Sequence, residues 1–409
     1  MGIAQATTGA RGRTLARVDR SALADAVRAW ALSRVLCYVA GIAAVAAFGA
    51  HPGPHDPLGL TSPFGSLGNK LVAPGARWDS VWYLLIADHG YVSARATEFF
   101  PLYPLTARAA GAPLGSSLIG GLVVSLASLL AALYLLRKLV ETELGTRAAR
   151  RTMLLVAFFP TAVFFSAVYT EALFLALSIG AFYAARRGHW AWAGIAGGLA
   201  SLTRPTGVLL LVPLALLYLY GPRDDRPPAA GAGFRPRYRL APNALWLLAV
   251  PAGLGCFMVY LAARFGNPLE MLGQGAAWGQ TFTFPVVTVW HAASLAASGL
   301  ASAAHGHAPQ NVYEFGAFCL ACVGTVGAFR RLPVAYGAYA AAGILFIASF
   351  PFSGQSLASF SRYMTPLFPI VVWWALWASE RRIYKALLVA FALLMLVNSA
   401  RFATWHWVA

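Results

Sequence analysis

Apolar stretches separated by short polar, mostly basic segments recur along the chain from Val27 to Val397. Each is about 20 residues long or somewhat less, the length at which an α-helix crosses a bilayer or packs inside a helix bundle. Spans are predicted at 27–49, 117–137, 152–168, 171–185, 190–203, 206–220, 243–263, 313–329, 333–350, 363–379 and 383–400. The pattern thus predicts an all-α, polytopic transmembrane bundle of about 11 spans, with bounds of about 10 to 13. Pro160, Pro205, Pro351 and Pro366 fall near span ends, where they predict breaks buried among neighbouring helices.

Composition agrees. Hydrophobic residues make up 59% of the 409 residues and charged residues 11%, and mean hydropathy is +0.63. A soluble protein carries roughly half apolar and about a quarter charged residues, so a soluble multidomain reading fails. The net charge of +17 does not point to nucleic acid, because the basic residues lie in short clusters between apolar runs and read as topology signals. Residues 1–26 carry Arg11, Arg13, Arg17 and Arg20 ahead of the first span and lack a signal-peptide core, so they are expected to stay cytoplasmic. Further basic clusters lie at 137–151, at Arg186 and Arg187, at 223–239, at Arg330 and Arg331, and at 381–385, all on the same side of the threading. A full span at 99–111 would move the 137–151 cluster outside, so that segment is predicted to be a helix in the outer interface.

The expected organisation is a cytoplasmic arm (1–26), one transmembrane domain (27–400) and a tail (401–409). Within the domain lie a first outer loop at 50–116, a basic inner linker at 221–242, a second outer loop at 264–312 and a shorter outer loop near 351–362. No fixed-period repeat or inverted duplication stands out.

Acidic residues number only 14, and sorting them by side is informative. Asp19, Asp25, Glu141, Glu143, Asp224, Asp225 and Glu380 fall among inner basic residues. Asp56, Asp79, Asp88, Glu98, Glu270 and Glu314 fall outside, and Glu171 lies near an outer helix end. Asp79 sits in Arg77-Trp78-Asp79-Ser80-Val81-Trp82-Tyr83. Flanking tryptophans desolvate an acid and raise its affinity for a proton, whereas Arg77 opposes that, so Asp79 reads as a general base or as an interfacial partner of Arg77. Asp88 and His89 follow in Ala87-Asp88-His89-Gly90-Tyr91. On a continuous helix His89 would lie about 15 Å from Asp79, so direct partnership with it requires a break, and His89 reads either as a contact to a phosphate or acceptor or as a surface histidine. Glu98, before Phe99-Phe100-Pro101-Leu102-Tyr103-Pro104, shares the pocket or caps the helix that Pro101 starts, with capping preferred.

Glu171 lies between apolar neighbours and needs a cationic partner, for which Arg204 and Arg362 are the candidates. Both arginines fit either a structural bridge or the binding of a phosphate. Other chemical signals are weak. Asp224 and Asp225 read as a solvated turn. Cys319 and Cys322 read as packing rather than a redox or metal pair, like Cys37 and Cys256. His291, His305 and His307 read as part of a flexible outer loop, and Trp278, Gln280 and Trp290 make that loop a plausible acceptor surface, with interfacial anchoring an equal explanation of the tryptophans.

Trp78-Asp79-x-x-x-Tyr83-Leu84-x-Ile86-Ala87-x-His89-Gly90-Tyr91, then Phe99-Phe100-Pro101-x-Tyr103-Pro104, Phe159-Pro160-Thr161, Tyr169-Thr170-Glu171 and Thr203-Arg204-Pro205-Thr206-Gly207 resemble the PIG-V-type mannosyltransferases of the GT-C class, bacterial members above all. Similarity runs from about Arg77 to Gly207 and faintly again over Arg362 to Pro369. The resemblance implies an integral membrane enzyme that takes a sugar, usually mannose, from a polyprenyl-phosphate carrier on the non-cytoplasmic side, and passes it to a lipid or glycan acceptor with inversion. Asp79 is then the expected general base. Arg77, Trp78, His89, Glu98, Tyr103, Glu171, Arg204, Arg362 and Tyr363 are expected substrate contacts. Arg204 and Arg362 would stabilise the leaving phosphate, so no metal or other cofactor is expected. Glu98 replaces an expected small residue, and Trp82 stands where eukaryotic relatives carry His. A proton-coupled transporter would place its acids at the bilayer midplane and duplicate its halves, neither of which the sequence favours. A lipid flippase holding a phosphate on Arg204 and Arg362 is the other alternative.

Overall fold

The computed structural model describes residues 19–50, 56, 58–228, 235–277, 279–303 and 310–408. Arg11, Arg13, Arg17, Trp278, His305 and His307 lie outside the described residues. Asp19 opens the first helix by accepting hydrogen bonds from the backbone N–H groups of Ser21 (3.0 Å) and Ala22 (3.1 Å), so α1 (Arg20–Phe48) starts inside the expected arm. The first outer loop follows, with α2 (Ser66–Leu71), α3 (Ser80–His89) and α4 (Leu102–Gly111). The expected interfacial segment is thus helical. Next come α5 (Ser117–Ala157), α6 (Glu171–Arg186), α7 (Trp190–Thr203), α8 (Leu211–Tyr220) and α9 (Ala249–Phe265). The remainder is α10 (Glu270–Ala277), α11 (Pro285–Ala303), α12 (Gln310–Arg331), α13 (Val334–Ser349), α14 (Phe360–Tyr363), α15 (Phe368–Glu380) and α16 (Tyr384–Ala403). The second outer loop therefore carries two helices of its own.

Among the described residues, five helical segments are long and apolar enough to cross a membrane: Arg20–Phe48, Ser117–Ala157, Pro242–Phe265, Gln310–Arg331 and Tyr384–Ala403. Shorter apolar helices complete an all-α, multi-pass bundle. Two span predictions change. Residues 117–137 and 152–168 belong to one 41-residue element broken at Gly145, whose φ of 81° only glycine adopts easily. The second arm stops at Ala157, so the predicted span to 168 ends as an irregular segment, 158–170, ahead of Glu171.

That segment is buried, and its backbone needs partners that no lipid can supply. Side chains provide them. Arg34 of α1 donates to the carbonyls of Ala157 (2.8 Å) and Ala162 (2.7 Å). Asn398 of α16 donates to the carbonyl of Pro160 (2.9 Å), Ser125 of α5 to that of Ala167 (2.6 Å), and Tyr38 to that of Ser166 (3.0 Å). A second device is close backbone approach. A Cβ on Gly253 of α9 would overlap the Gly198 carbonyl of α7, and one on Gly120 of α5 would overlap the Ala107 carbonyl of α4. The latter contact seats the first outer loop against the bundle.

Charge segregates to one end. Lys138 pairs with Asp19 (2.8 Å), Arg150 with Asp25 (2.7 Å), Arg137 with Glu141 (2.9 Å), Arg186 with Glu143 (2.8 Å), Arg331 with Glu380 (3.1 Å), and Arg223 with Asp225 (2.5 Å), while Asp224 pairs with Arg186 and Arg187. The seven acids assigned to the inner basic clusters all find basic partners. Asp224 and Asp225 lie exposed in a bend, as expected of a solvated turn, and are ion-paired as well, in a linker whose Arg223 guanidinium lies 4.5 Å from the Tyr218 ring centre and 4.6 Å from that of Trp190. The 16 residues of α6 carry the chain about 24 Å from this end to Glu171 at the other.

Candidate active site

Asp79 occupies the turn before α3, where its neighbour Trp78 adopts a left-handed φ of 54°. Its carboxylate does not cap the helix. The backbone N–H of Asp79 donates to the Tyr169 hydroxyl (3.1 Å), and Asp79 Oδ2 accepts from Arg362 Nη1 (2.7 Å). Arg362 Nε in turn donates to Glu171 Oε1 (2.6 Å), which also accepts from Arg204 Nη1 (3.0 Å). Four charges, from the turn before α3, the start of α6, the residue after α7 and α14, thus form one chain, Asp79–Arg362–Glu171–Arg204. Glu171 is 0% exposed and is compensated by both arginines that sequence reasoning offered as alternatives. Tyr363 steadies the pair, its ring centre 5.2 Å from the Arg204 guanidinium and 5.3 Å from that of Arg362.

Asp79, Arg204, Arg362 and Tyr363 open onto a cavity of about 1420 Å³. Its lining combines aromatic and polar side chains, among them Trp78, Trp82, Trp407, Asp56, Arg95 and Glu98, with apolar ones that include Leu209, Leu254, Met258, Phe346, Ile347 and Phe350. Gln280 of the second outer loop also reaches it. Glu98 therefore shares the pocket rather than capping α4, whose N-terminus at Pro101 has no side-chain cap. Burial, reinforced by the negative charge of Asp79, pushes the Glu98 carboxyl up to about 7. Phe99, which also lines the cavity, is stacked on Trp82 (5.6 Å) and edge-on to Tyr83 (5.2 Å).

Other expected contacts lie elsewhere. Arg77 is buried at 3% exposure and turns from Asp79 to the Ala403 carbonyl (2.9 Å). Tyr103 is fully buried, donating to the Gly121 carbonyl (2.9 Å) beside Ser125. His89 is exposed at the far end of an unbroken α3, and Asp88 bonds Ser117 (2.5 Å) outside the cavity. Arg77 and Tyr103 thus support the fold around the site, His89 lies on the surface, and none of the three lines the cavity.

One residue escaped sequence reasoning. Glu314 of α12 is 3% exposed and accepts from the Ser361 N–H (2.8 Å), the Ser361 hydroxyl (3.2 Å) and Gln310 (3.0 Å). Thr161 donates to the Ser361 carbonyl (3.1 Å), so α14 is gripped from two sides and Arg362 is fixed. Its rarity as an acid in an apolar run was the available signal. Among the described residues no group of three His, Cys, Asp or Glu could hold a metal ion, and the four cysteines are free.

The Mannosyltransferase (PIG-V) family profile matches residues 55–211. The GPI mannosyltransferase 2 of Yarrowia lipolytica is 32% identical over 146 residues, covering 36% of this chain and 41% of that protein. The GPI alpha-1,6-mannosyltransferase 2 of Mus musculus is 34% identical over 148 residues, covering 33% of this chain and 30% of that one. The chain thus matches less than half the length of these relatives. They do not bear out the expected nearness to bacterial members. Among solved structures, the apo oligosaccharyltransferase of Archaeoglobus fulgidus aligns with a TM-score of 0.43 at 15% identity, over 92% of this chain and 56% of that one.

Proposed function

We propose that this chain, whose residues 55–211 match the PIG-V mannosyltransferase family, transfers mannose from a polyprenyl-phosphate carrier to a lipid or glycan acceptor, with Asp79 as general base. The reading rests on one observation above all: Asp79 and two arginines suited to a phosphate face the same cavity, whose lining includes enough apolar side chains for a lipid chain. The donor phosphate, drawn to Arg204 and Arg362, takes over Arg362 Nη1 and releases Asp79 Oδ2. Asp79 then accepts the proton of an acceptor hydroxyl as its oxygen attacks the anomeric carbon. The bond from that carbon to the phosphate oxygen breaks on the opposite face, and the phosphate leaves with the electron pair, so the configuration inverts. The two guanidinium groups stabilise the developing charge, a role that makes a metal unnecessary.

The site is proposed to face the non-cytoplasmic side. Supporting this is the separation of Asp79 from the end that gathers the paired basic clusters, since basic residues mark the cytoplasmic side.

Purified protein given radiolabelled polyprenyl-phosphate-mannose and membrane lipids is expected to form a labelled product with a chelator present. Asp79→Asn is expected to lower the rate by about a hundredfold or more while inserting and folding normally. Full activity in that variant would refute the general-base role, and substrate movement across the membrane without transfer would favour a carrier.

A further inference from the structure

Beyond α16 the chain turns back onto the site. Arg401 Nη2 donates to the Trp407 carbonyl (2.7 Å), the His406 N–H to the Arg401 carbonyl (2.8 Å), and Trp405 takes a left-handed φ of 64°. This tight turn delivers two tryptophans to the Asp79 motif. The Trp78 ring lies 5.7 Å from that of Trp405 and 5.2 Å, edge-on, from that of Trp407. The Arg77 guanidinium sits 5.3 Å over Trp405 while its Nε donates to Ala403, the last residue of α16. Phe402 packs 5.8 Å from Tyr169, the residue that holds the Asp79 N–H. Val408 is buried at 5% exposure and closes the turn, whereas Trp407 is 39% exposed and lines the cavity.

Trp78, with φ of 54°, is in a backbone region that costs a bulky residue about 1–3 kcal/mol and persists only where its surroundings over-determine it. The rings of Trp405 and Trp407, with the Ala403 carbonyl, are part of those surroundings. They lie about 200 residues beyond the family-matched region, at the opposite end of the fold's sequence.

We propose that residues 404–408 form a strap that completes the active site: Trp405 is a positioning residue that locks the Arg77–Trp78 turn and so aims Asp79, and Trp407 is a specificity residue that contacts the acceptor. The assignment of Trp407 rests on the transferase reading above; that of Trp405 does not. In the full chain, Trp405→Ala is expected to lower kcat about tenfold or more with little change in acceptor KM, because loss of aim costs rate rather than binding. Trp405→Phe, which keeps a ring, is expected to restore most of the rate. Trp407→Ala is expected to raise acceptor KM about tenfold with kcat nearly unchanged, the signature of lost uniform binding.

Hydrogen–deuterium exchange supplies a readout independent of activity. Trp405→Ala is expected to speed exchange over residues 77–83 and Trp405→Phe to leave it slow. Unchanged exchange at 77–83 in Trp405→Ala would overturn the strap. Unaltered acceptor KM in an otherwise active Trp407→Ala would overturn its acceptor contact. Failure of the wild-type protein to transfer any sugar would sink the transferase reading and the acceptor contact with it, and exchange would still decide the strap.

Discussion

A single carboxyl group separates two views of the cavity. Glu98 lines the same cavity as Asp79, and burial together with that neighbouring charge holds its pKa up at about 7. An acid whose folded pKa exceeds its ordinary value of 4.5 binds more protons in the folded state than in the unfolded one between pH 4.5 and 7. Its contribution therefore favours folding below about 4.5, declines as pH rises and is lost above about 7. The thermal midpoint of the wild-type protein should fall between pH 5 and 8 by several degrees more than that of Glu98→Gln, which cannot ionise. Parallel Tm curves in detergent would show that Glu98 is not the neutral acid the geometry makes it. The sequence placed Glu98 in the right loop but offered capping as its task, because a cap is a local pattern and a shared cavity is not. Asp79 was legible for the opposite reason: an acid among tryptophans is conspicuous within seven residues.

At the scale of elements, local periodicity carried most of the bundle. The predicted spans at 171–185, 190–203, 333–350 and 383–400 match helices within a few residues. It failed at 158–170, where hydrophobicity alone cannot tell a helix from an irregular segment whose carbonyls are satisfied by Arg34, Ser125 and Asn398, residues distant in sequence. The same limit hid the partner of Asp79, which is 283 residues away at Arg362 rather than two residues away at Arg77. It also hid Glu314, whose function becomes visible only when α12 and α14 are side by side. Glu314→Ala leaves the Ser361 N–H unpaired, at about 1–3 kcal/mol for a buried donor, and loosens the helix that carries Arg362. The expected result is a lower Tm and a donor KM raised about tenfold, whereas Glu314→Gln keeps an acceptor for Ser361 and should retain most of both. Wild-type donor KM in Glu314→Ala would show that α14 holds Arg362 without it.

For the whole molecule, the arrangement of charge makes a statement about sidedness. The ion-paired clusters around Asp19, Asp25, Glu143 and Asp224 gather at one end, and α6 leads from them to the Asp79 site. The outward-facing cavity proposed above follows from the positive-inside bias, because moving the cluster of Arg137, Lys138, Arg147, Arg150 and Arg151 to the far side opposes the rule that sets topology. Two exposed positions test this directly. In a background with the four native cysteines replaced by alanine, Asp88→Cys, close in the chain to the Asp79 helix, should react with a membrane-impermeant maleimide on intact cells. Arg226→Cys, in the basic linker beside Asp224, should react only after permeabilisation. The reverse labelling would put the cavity on the cytoplasmic side, where a polyprenyl-phosphate donor presented outside could not reach Asp79. Labelling that matches would leave the apolar lining and the arginine pair open to the leaflet in which the proposed donor resides, linking the orientation of the fold to the chemistry of its site.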